Sequence, residues 1–218
     1  ILIKVKEPIE EEYVLHENFK GKILFTYLHL SGVTKSLTEK LLENKITGIA
    51  YETVRDEKGQ LPLLKPMSQV AGVLAIQYGA QYLQKKYNGR GISLGKIDNT
   101  TPAEVVVVGG GVVGAKAAIT AAGLGANVTL LELKDERISQ LKNEFKEFLG
   151  ENLYKNVSFL KSNEENLKDS VKKADLLIGA VLVAGAKAPI VVTEEMVKSM
   201  KNGSVIVDVA IDQGGCIW

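Results

Sequence analysis

Two observations predict an α/β chain built on a doubly wound, mostly parallel sheet. Strand-like, β-branched runs alternate with helix-period segments along the chain, and one such strand feeds a glycine run that opens a helix. The strand is Glu104–Val108 (EVVVV), continuous and apolar as a strand buried on both faces should be. Gly109-Gly110-Gly111-Val112-Val113-Gly114 follows with the spacing G-x-G-x-x-G, and its helix is expected to run to about Gly123. A second strand, Asn127–Leu131, ends at Glu132.

In that context each glycine has its own reason. Gly109 permits a tight turn, Gly111 lets backbone N–H groups approach a pyrophosphate, and Gly114 lets the helix lie close on the strand. The helix N-terminus adds partial positive charge. Glu132 is placed to accept hydrogen bonds from both ribose hydroxyls of an adenosine and to repel a 2′-phosphate, so NAD is expected rather than NADP. An ordinary βαβ turn that merely needs glycines would also accommodate three in a row.

Composition narrows the class. With 218 residues, 45% hydrophobic and 24% charged, the chain suits one large domain or two modest ones. A net charge of +1 gives no reason to invoke nucleic acid or an acidic membrane surface. The single cysteine, Cys216, excludes an internal disulfide, and two histidines far apart leave no zinc spacing. The expected compartment is the reducing cytoplasm, since no apolar run reaches spanning length or follows a basic leader. The chain opens on the strand-like ILIKV without a methionine and stops at Trp218, so both ends read as cut from something longer.

The first part reads as βαβαβ, a partial α/β substrate domain over residues 1–62. Ile1–Val5 is a strand closed by Lys6-Glu7-Pro8, and Glu10–Leu15 a short helix. Ile23–Tyr27 is the second strand, with Leu28-His29-Leu30 at its end and a turn at Ser31-Gly32. Ser36–Asn44 is a helix with Leu37, Leu41 and Leu42 on one face, and Ile46–Tyr51 a third strand ending in Glu52-Thr53. Ligands of parallel sheets bind outside the carboxyl ends of the strands, where Lys6, His29 and Glu52 all fall. A solvated lysine and a satisfied, half-buried histidine are the plainer readings of the first two. His16, before Glu17, reads as surface.

The turn-rich Gly59–Pro66 links this part to a nucleotide domain over 63–218. Ser68–Tyr87 is a long helix carrying Val70, Leu74, Tyr78 and Tyr82 on one side with Ala71, Ala75 and Gly79 close by, and is the expected subunit interface. Ser68 is placed to cap it and to hold a phosphate. Beyond Glu132, Asp135–Leu149 is a helix with Ile138, Leu141, Phe145 and Phe148 at helical spacing, and Asn156–Leu160 a third strand of this domain. Asn163–Lys173 is a polar helix, Asp175–Val181 a fourth strand, and Thr193 caps a helix through Met200. Ser204–Val207 begins a fifth strand that runs toward Asp212, a residue able to face a cofactor or simply to serve a turn.

Several segments are too idiosyncratic to be general properties of strands. They are KVKEP at Lys4–Pro8, ILFTYLHL at Ile23–Leu30, TGIAYETV at Thr47–Val54, LPLLKPMSQVAG at Leu61–Gly72, ADLLIGAVLVAGAKAP at Ala174–Pro189 and VIVDVAIDQGGC at Val205–Cys216. With the glycine fingerprint they make the chain resemble alanine dehydrogenase over essentially its whole length. The resemblance implies reversible, NAD-dependent oxidation of L-alanine to pyruvate and ammonia by homo-oligomers, hexamers in the family. By motif, Lys6 would bind the carboxylate and carbonyl oxygens of pyruvate, His29 would be the general acid/base, and Asp212 the second catalytic group. Ser68, Gly109, Gly111, Val112, Val113 and Gly114 would hold the pyrophosphate, Glu132 the adenosine ribose, with Arg137 flanking the adenosine. Val181 and Leu182 would lie along the nicotinamide riboside, and Ile211 and Asp212 would complete the cofactor contacts.

The chain departs from the family pattern in places. Glu132 stands where aspartate is common, Val73 where arginine is usual, Lys96–Thr101 replaces a Gly/Pro-rich loop, and Trp218 stands where an acidic residue follows GGC. The family's earlier βα segment with a substrate-binding arginine, and its closing helices, have no counterpart in these residues. Three rivals follow: a transhydrogenase nucleotide-binding subunit, which lacks the YLHL histidine and the AIDQGGC segment; an NAD-binding chain without catalysis; and a saccharopine-type dehydrogenase.

Overall fold

The computed structural model describes residues 1–13, 18–30, 32–181 and 188–218. Leu15, His16, Glu17, Ser31 and Leu182, named above, lie outside them. The chain divides into two compact units, Ile1–Met67 and Ser68–Trp218.

The first unit is a three-stranded parallel sheet in the order β1 (Leu2–Ile3), β2 (Ile23–Thr26), β3 (Thr47–Ala50), with α1 (Lys35–Glu43) crossing between the last two. Leu24, Leu28, Leu37 and Leu41 form its small core. Each strand is shorter than the sequence predicts, and a chain turn follows β3 directly. Glu10–Glu12 and Tyr51–Thr53 are single 3-10 turns, so Glu52 sits on a turn beyond β3 and not on the strand.

The second unit has a five-stranded parallel sheet in the order β6-β5-β4-β7-β8: β4 is Glu104–Val108, β5 Asn127–Glu132, β6 Val157–Lys161, β7 Leu176–Gly179 and β8 Val205–Asp208. The order reverses between β4 and β7, the switch point at which a doubly wound sheet opens a crevice. The valines of β4 alternate: Val105 and Val107 pack with α3 (Val112–Gly123) and α4 (Asp135–Tyr154), Val106 and Val108 with α5 (Glu164–Lys173) and α6 (Glu194–Lys198). A strand covered on both faces is thus realised as the apolar run implies.

Three expectations are corrected. The long helix, α2, spans Lys65–Tyr82 and is followed by a 3-10 turn at Lys85–Tyr87, with Asn88 left-handed. Pro66 lies in its first turn, where a missing N–H costs nothing, so the helix starts three residues before Ser68 and Ser68 is no cap. The buried side of α2 is Gly72, Ala75, Ile76 and Gly79, while Val70, Leu74, Tyr78 and Tyr82 are 40–53% exposed. A Cβ at Gly72 would lie 2.5 Å from the Val113 carbonyl oxygen, which is why α2 can seat on α3 there. Phe148 is 65% exposed, beside Lys116 whose Nζ lies 5.0 Å from its ring centre, whereas Ile138, Leu141 and Phe145 enter the core as predicted. The helix breaks two residues later at Gly150 (φ 64°).

Buried Asp175, at the foot of β7, anchors the other end of the sheet. One oxygen lies 2.9 Å from both Arg90 Nε and Lys201 Nζ, and the other accepts the Glu104 N–H at 2.8 Å. The loop that enters β4 is therefore fixed by charge at the end remote from the crevice. Among the described residues no helix is long and apolar enough to cross a membrane.

Candidate functional site

The crevice end of the second unit is shaped by its glycines. Gly109 has φ +104°, and a Cβ there would lie 2.5 Å from the Ala180 carbonyl oxygen, so β4 and β7 can turn away side by side only with glycine. A Cβ at Gly114 would fall 1.8 Å from the Gly109 carbonyl oxygen, so this glycine is required by helix-on-strand contact. Gly111 differs: a Cβ would meet nothing within 4 Å. It stands exposed at the N-cap of α3, whose first-turn N–H groups have no partner within the helix. The space beside Gly111 is open to an anion at a positive helix end.

Glu132 closes the other side. Its Oε2 accepts the Gly110 N–H at 2.8 Å and its Oε1 the Lys134 N–H at 2.9 Å. Two N–H donors keep the carboxylate fixed, and each oxygen retains a lone pair for a hydroxyl donor. Arg137 donates from Nε to the Gly110 carbonyl at 3.0 Å and pairs through Nη1 with Glu144 at 2.7 Å, which ties α4 to the glycine turn. Val112 is exposed at the helix start, while Val113 packs inward, so Val113 can offer its backbone and not its side chain. Val181 N would lie 3.2 Å from a Gly109 Cβ, which places Val181 at the switch point.

Asp212 is not on β8. The strand ends at Asp208, and Ile211–Gln213 is a 3-10 turn on which Ile211 is 70% exposed and Asp212 is also exposed. Asp208 causes the turn, and the sequence reading passed over it. Its Oδ2 accepts from Cys216 N at 2.7 Å and Ile217 N at 2.9 Å, and its Oδ1 from Ala210 N at 3.0 Å. The Cys216 thiol donates to Oδ1 at 3.4 Å, and burial followed by the Asp208 charge pushes it up to about 12.

In the first unit Lys6, Glu7, His29 and Glu52 gather at the carboxyl ends of the strands. The Lys6 carbonyl accepts from Thr26 Oγ1 at 2.8 Å, a fully buried hydroxyl, and Tyr51 donates to the Val5 carbonyl. This fixes the backbone at Lys6 while its side chain stays 61% exposed. Lys6 Nζ lies 3.2 Å from Glu7 Oε2, an ion pair without hydrogen-bond geometry, and 5.9 Å from the Tyr27 ring centre. Burial raises the Glu7 carboxyl, but its backbone hydrogen bond, the Lys6 ammonium and the His29 imidazole outweigh that and hold it below its ordinary value. Burial pushes the Tyr27 hydroxyl up to about 12, with Tyr51 and Glu52 adding to it. Glu7 has no signal in the sequence beyond its place between Lys6 and Pro8.

This arrangement offers a dinucleotide cradle in one unit and a cation, a carboxylate and an imidazole together in the other. The donor set of the cradle fits NAD: open backbone N–H groups for the pyrophosphate and a pinned carboxylate for the ribose.

The comparisons with known proteins agree with that chemistry. Residues 1–71 match the family model "Alanine dehydrogenase/PNT, N-terminal domain" and 75–218 match "Alanine dehydrogenase/PNT, C-terminal domain". An alanine dehydrogenase of Methanococcus maripaludis is 54% identical over 217 residues, covering 100% of this chain and 55% of its own length. A solved L-alanine dehydrogenase superposes with a TM-score of 0.87 at 47% identity, over 100% of this chain and 58% of its own. A transhydrogenase from Sinorhizobium meliloti gives 0.76 at 26%, over 99% of this chain and 60% of its own. The chain thus spans a little over half the length of the relatives it matches, and it belongs to the alanine dehydrogenase/PNT family, NAD-binding oxidoreductases of parallel α/β fold.

Proposed function

We propose that this chain is the dinucleotide-binding body of an alanine dehydrogenase, with L-alanine and pyruvate as its substrate pair. The observation that carries the reading is the contrast among the glycines: Gly109 and Gly114 are demanded by packing, whereas Gly111 is demanded by nothing in the protein and faces open space. At the N-cap of a helix whose first-turn N–H groups are open, such a glycine leaves room for a ligand to come close. Gly111 and the first-turn N–H groups of Val112, Val113 and Gly114 hold the pyrophosphate, with the Ser68 hydroxyl as a further donor. Glu132 takes the adenosine ribose, Arg137 the edge of the adenosine, and Val181, Leu182 and Ile211 the nicotinamide riboside.

When bound, NAD supplies the hydride acceptor for Cα of alanine. The chain's own residues do the rest. Lys6 holds the substrate carboxylate and the carbonyl oxygen, with its ammonium 3.2 Å from Glu7 Oε2. His29 takes the proton of the attacking water at the imine carbon and returns one to the departing amine, a task that suits an imidazole near neutral pH. Asp212 is the second proton-handling group.

A second reading, NAD binding without turnover, is favoured by one observation: the chain spans about 55% of its relatives' length. NADH titration of the 218-residue chain, followed by NADH formation from L-alanine in the parent and in His29→Ala, separates the two. Turnover lost in His29→Ala supports the dehydrogenase. Tight NADH binding with no turnover in the parent supports the second reading, and no NADH binding overturns both. We further propose a homo-oligomer joined through the exposed Val70, Leu74, Tyr78 and Tyr82 stripe of α2, acting in the cytoplasm with no nucleic-acid or membrane partner.

A further inference from the structure

We propose that Glu52 is a positioning residue for His29, acting through the backbone and not the ring. The β2–β3 ladder ends where Thr26 pairs with Ala50, and just beyond it Leu28 and His29 lie within reach of Glu52 on the Tyr51–Thr53 turn. The Glu52 carboxylate joins the two segments. Its Oε1 accepts from His29 N at 2.9 Å and from Leu28 N at 3.2 Å. His29 itself has φ +42°, in the left-handed region that a β-carbon disfavours. Strained backbone persists only where its surroundings over-determine it, and two charge-assisted hydrogen bonds on the strained residue and its neighbour do so here.

The left-handed turn decides where the imidazole goes. The Gly32 N–H donates to the His29 carbonyl at 2.8 Å, closing the chain beneath the ring. A Cβ on Gly32 would lie 2.2 Å from both Cδ2 and Nε2 of His29, so the ring rests on the bare Cα of Gly32. Gly32 needs no special φ and is exposed, so it is required for that contact alone. Glu52 and Gly32 are thus two halves of one device: the carboxylate holds the backbone turned, and the glycine leaves the space into which the turned side chain falls. Relaxation of His29 to an extended φ would carry the ring away from Gly32 and from Glu7. The catalytic consequence rests on the acid/base role of His29 proposed above; the geometry does not.

The test reads the ring directly. With two histidines in the chain, a His16→Gln background leaves His29 as the single imidazole in a proton NMR spectrum. The parent should show a nuclear Overhauser contact between His29 Hδ2 and Gly32 Hα. Glu52→Gln, which keeps an acceptor oxygen, should retain it, and Glu52→Ala should lose it. Glu52→Asp keeps the charge but shortens the reach, and should also lose it, which serves if the alanine variant does not fold. A folded Glu52→Ala or Glu52→Asp chain that keeps the contact overturns the proposal, whatever the chain's enzymatic activity. If the parent turns over alanine, the displacing variants should lower kcat by about tenfold to a hundredfold, since a shift of an ångström has that effect, with KM for NAD unchanged. A fall in melting temperature with the contact and kcat intact would mean that Glu52 only pins the sheet edge, and would also overturn it.

Discussion

The Asp208 carboxylate accepts the Cys216 N–H at 2.7 Å, across the seven residues between them that carry the turn with Asp212. The loop is closed on its own strand end, and Val192 bridges to Ile217 just beyond the closure. Asp212 is therefore presented by a turn whose shape one carboxylate maintains. Asp208→Ala leaves three N–H donors without their acceptor, and each donor stranded in a buried place costs about 1–3 kcal/mol. Thermal unfolding should begin several degrees lower than in the parent. In the folded fraction Cys216, now without its acidic neighbour, should react faster with a thiol reagent at pH 8; unchanged reactivity would show that the loop holds without Asp208.

Gly111 and Gly114 should separate binding from folding. Gly111→Ala adds a methyl to open space and should melt as the parent does, yet bind NADH at least tenfold more weakly, because the methyl occupies the approach to the helix N-terminus. Gly114→Ala drives a methyl onto the Gly109 carbonyl and should destabilise the chain outright. Melting curves and fluorescence titration with NADH check both, and a Gly111→Ala chain with parental NADH affinity would remove the ligand from that space.

Glu132→Gln puts an amide NH2 against the Gly110 or the Lys134 N–H, since each oxygen now accepts one of them. The side chain must turn away or strand a donor. NADH affinity should fall about tenfold, the lower end of what one mispaired polar contact costs, and the preference over NADPH should narrow because the negative charge is gone. Parallel titrations with the two dinucleotides measure this; an unchanged ratio would mean that the acid does not face the ribose.

The sequence disclosed what depends on period and spacing. Val105 to Val108, the glycine turn and Glu132 follow from local rules, and their structure differs from the reading by a residue at most. What stayed hidden depends on contacts between segments far apart. Glu52 becomes a ligand of the His29 backbone only through the β2–β3 register, and Asp208 becomes a loop clamp only once residues 216 and 217 return to it. Ser68 misled because a serine before an apolar run is a start signal, while Pro66 two residues earlier is an equally good one. Which side of α2 is buried stayed hidden because small and large apolar residues both recur along it, and only packing against α3 and β7 decides that the small ones go inside.

The α2 stripe gives a prediction about assembly. Val70, Leu74, Tyr78 and Tyr82 recur every four residues and are 40–53% exposed, so they form a continuous apolar strip along the helix. Leu74→Lys charges its middle without touching the buried Gly72, Ala75 and Ile76 face, and should leave the melting of the monomer unchanged. If the stripe joins copies of the chain, sedimentation should shift to smaller species. An unchanged sedimentation profile for Leu74→Lys would place any interface elsewhere.

Glu7 sets an acid limb to stability. Its carboxyl is held below the ordinary value of 4.5 in the folded chain, so between the two values the unfolded state binds the extra proton. Stability from this group is fully present above about pH 4.5 and is lost as pH falls through the lower, folded value. Glu7→Gln removes the titration and also the charge that Lys6 Nζ faces at 3.2 Å. The variant should be less stable than the parent at pH 6, by about 1 kcal/mol or less because the pair is partly solvated, and the difference should shrink toward pH 3. Urea unfolding at a series of pH values measures it. A gap between parent and variant that stays constant from pH 6 to pH 3 would mean that the Glu7 carboxylate contributes through packing alone, and that Lys6 is held in place by its backbone bond from Thr26 and not by its charge.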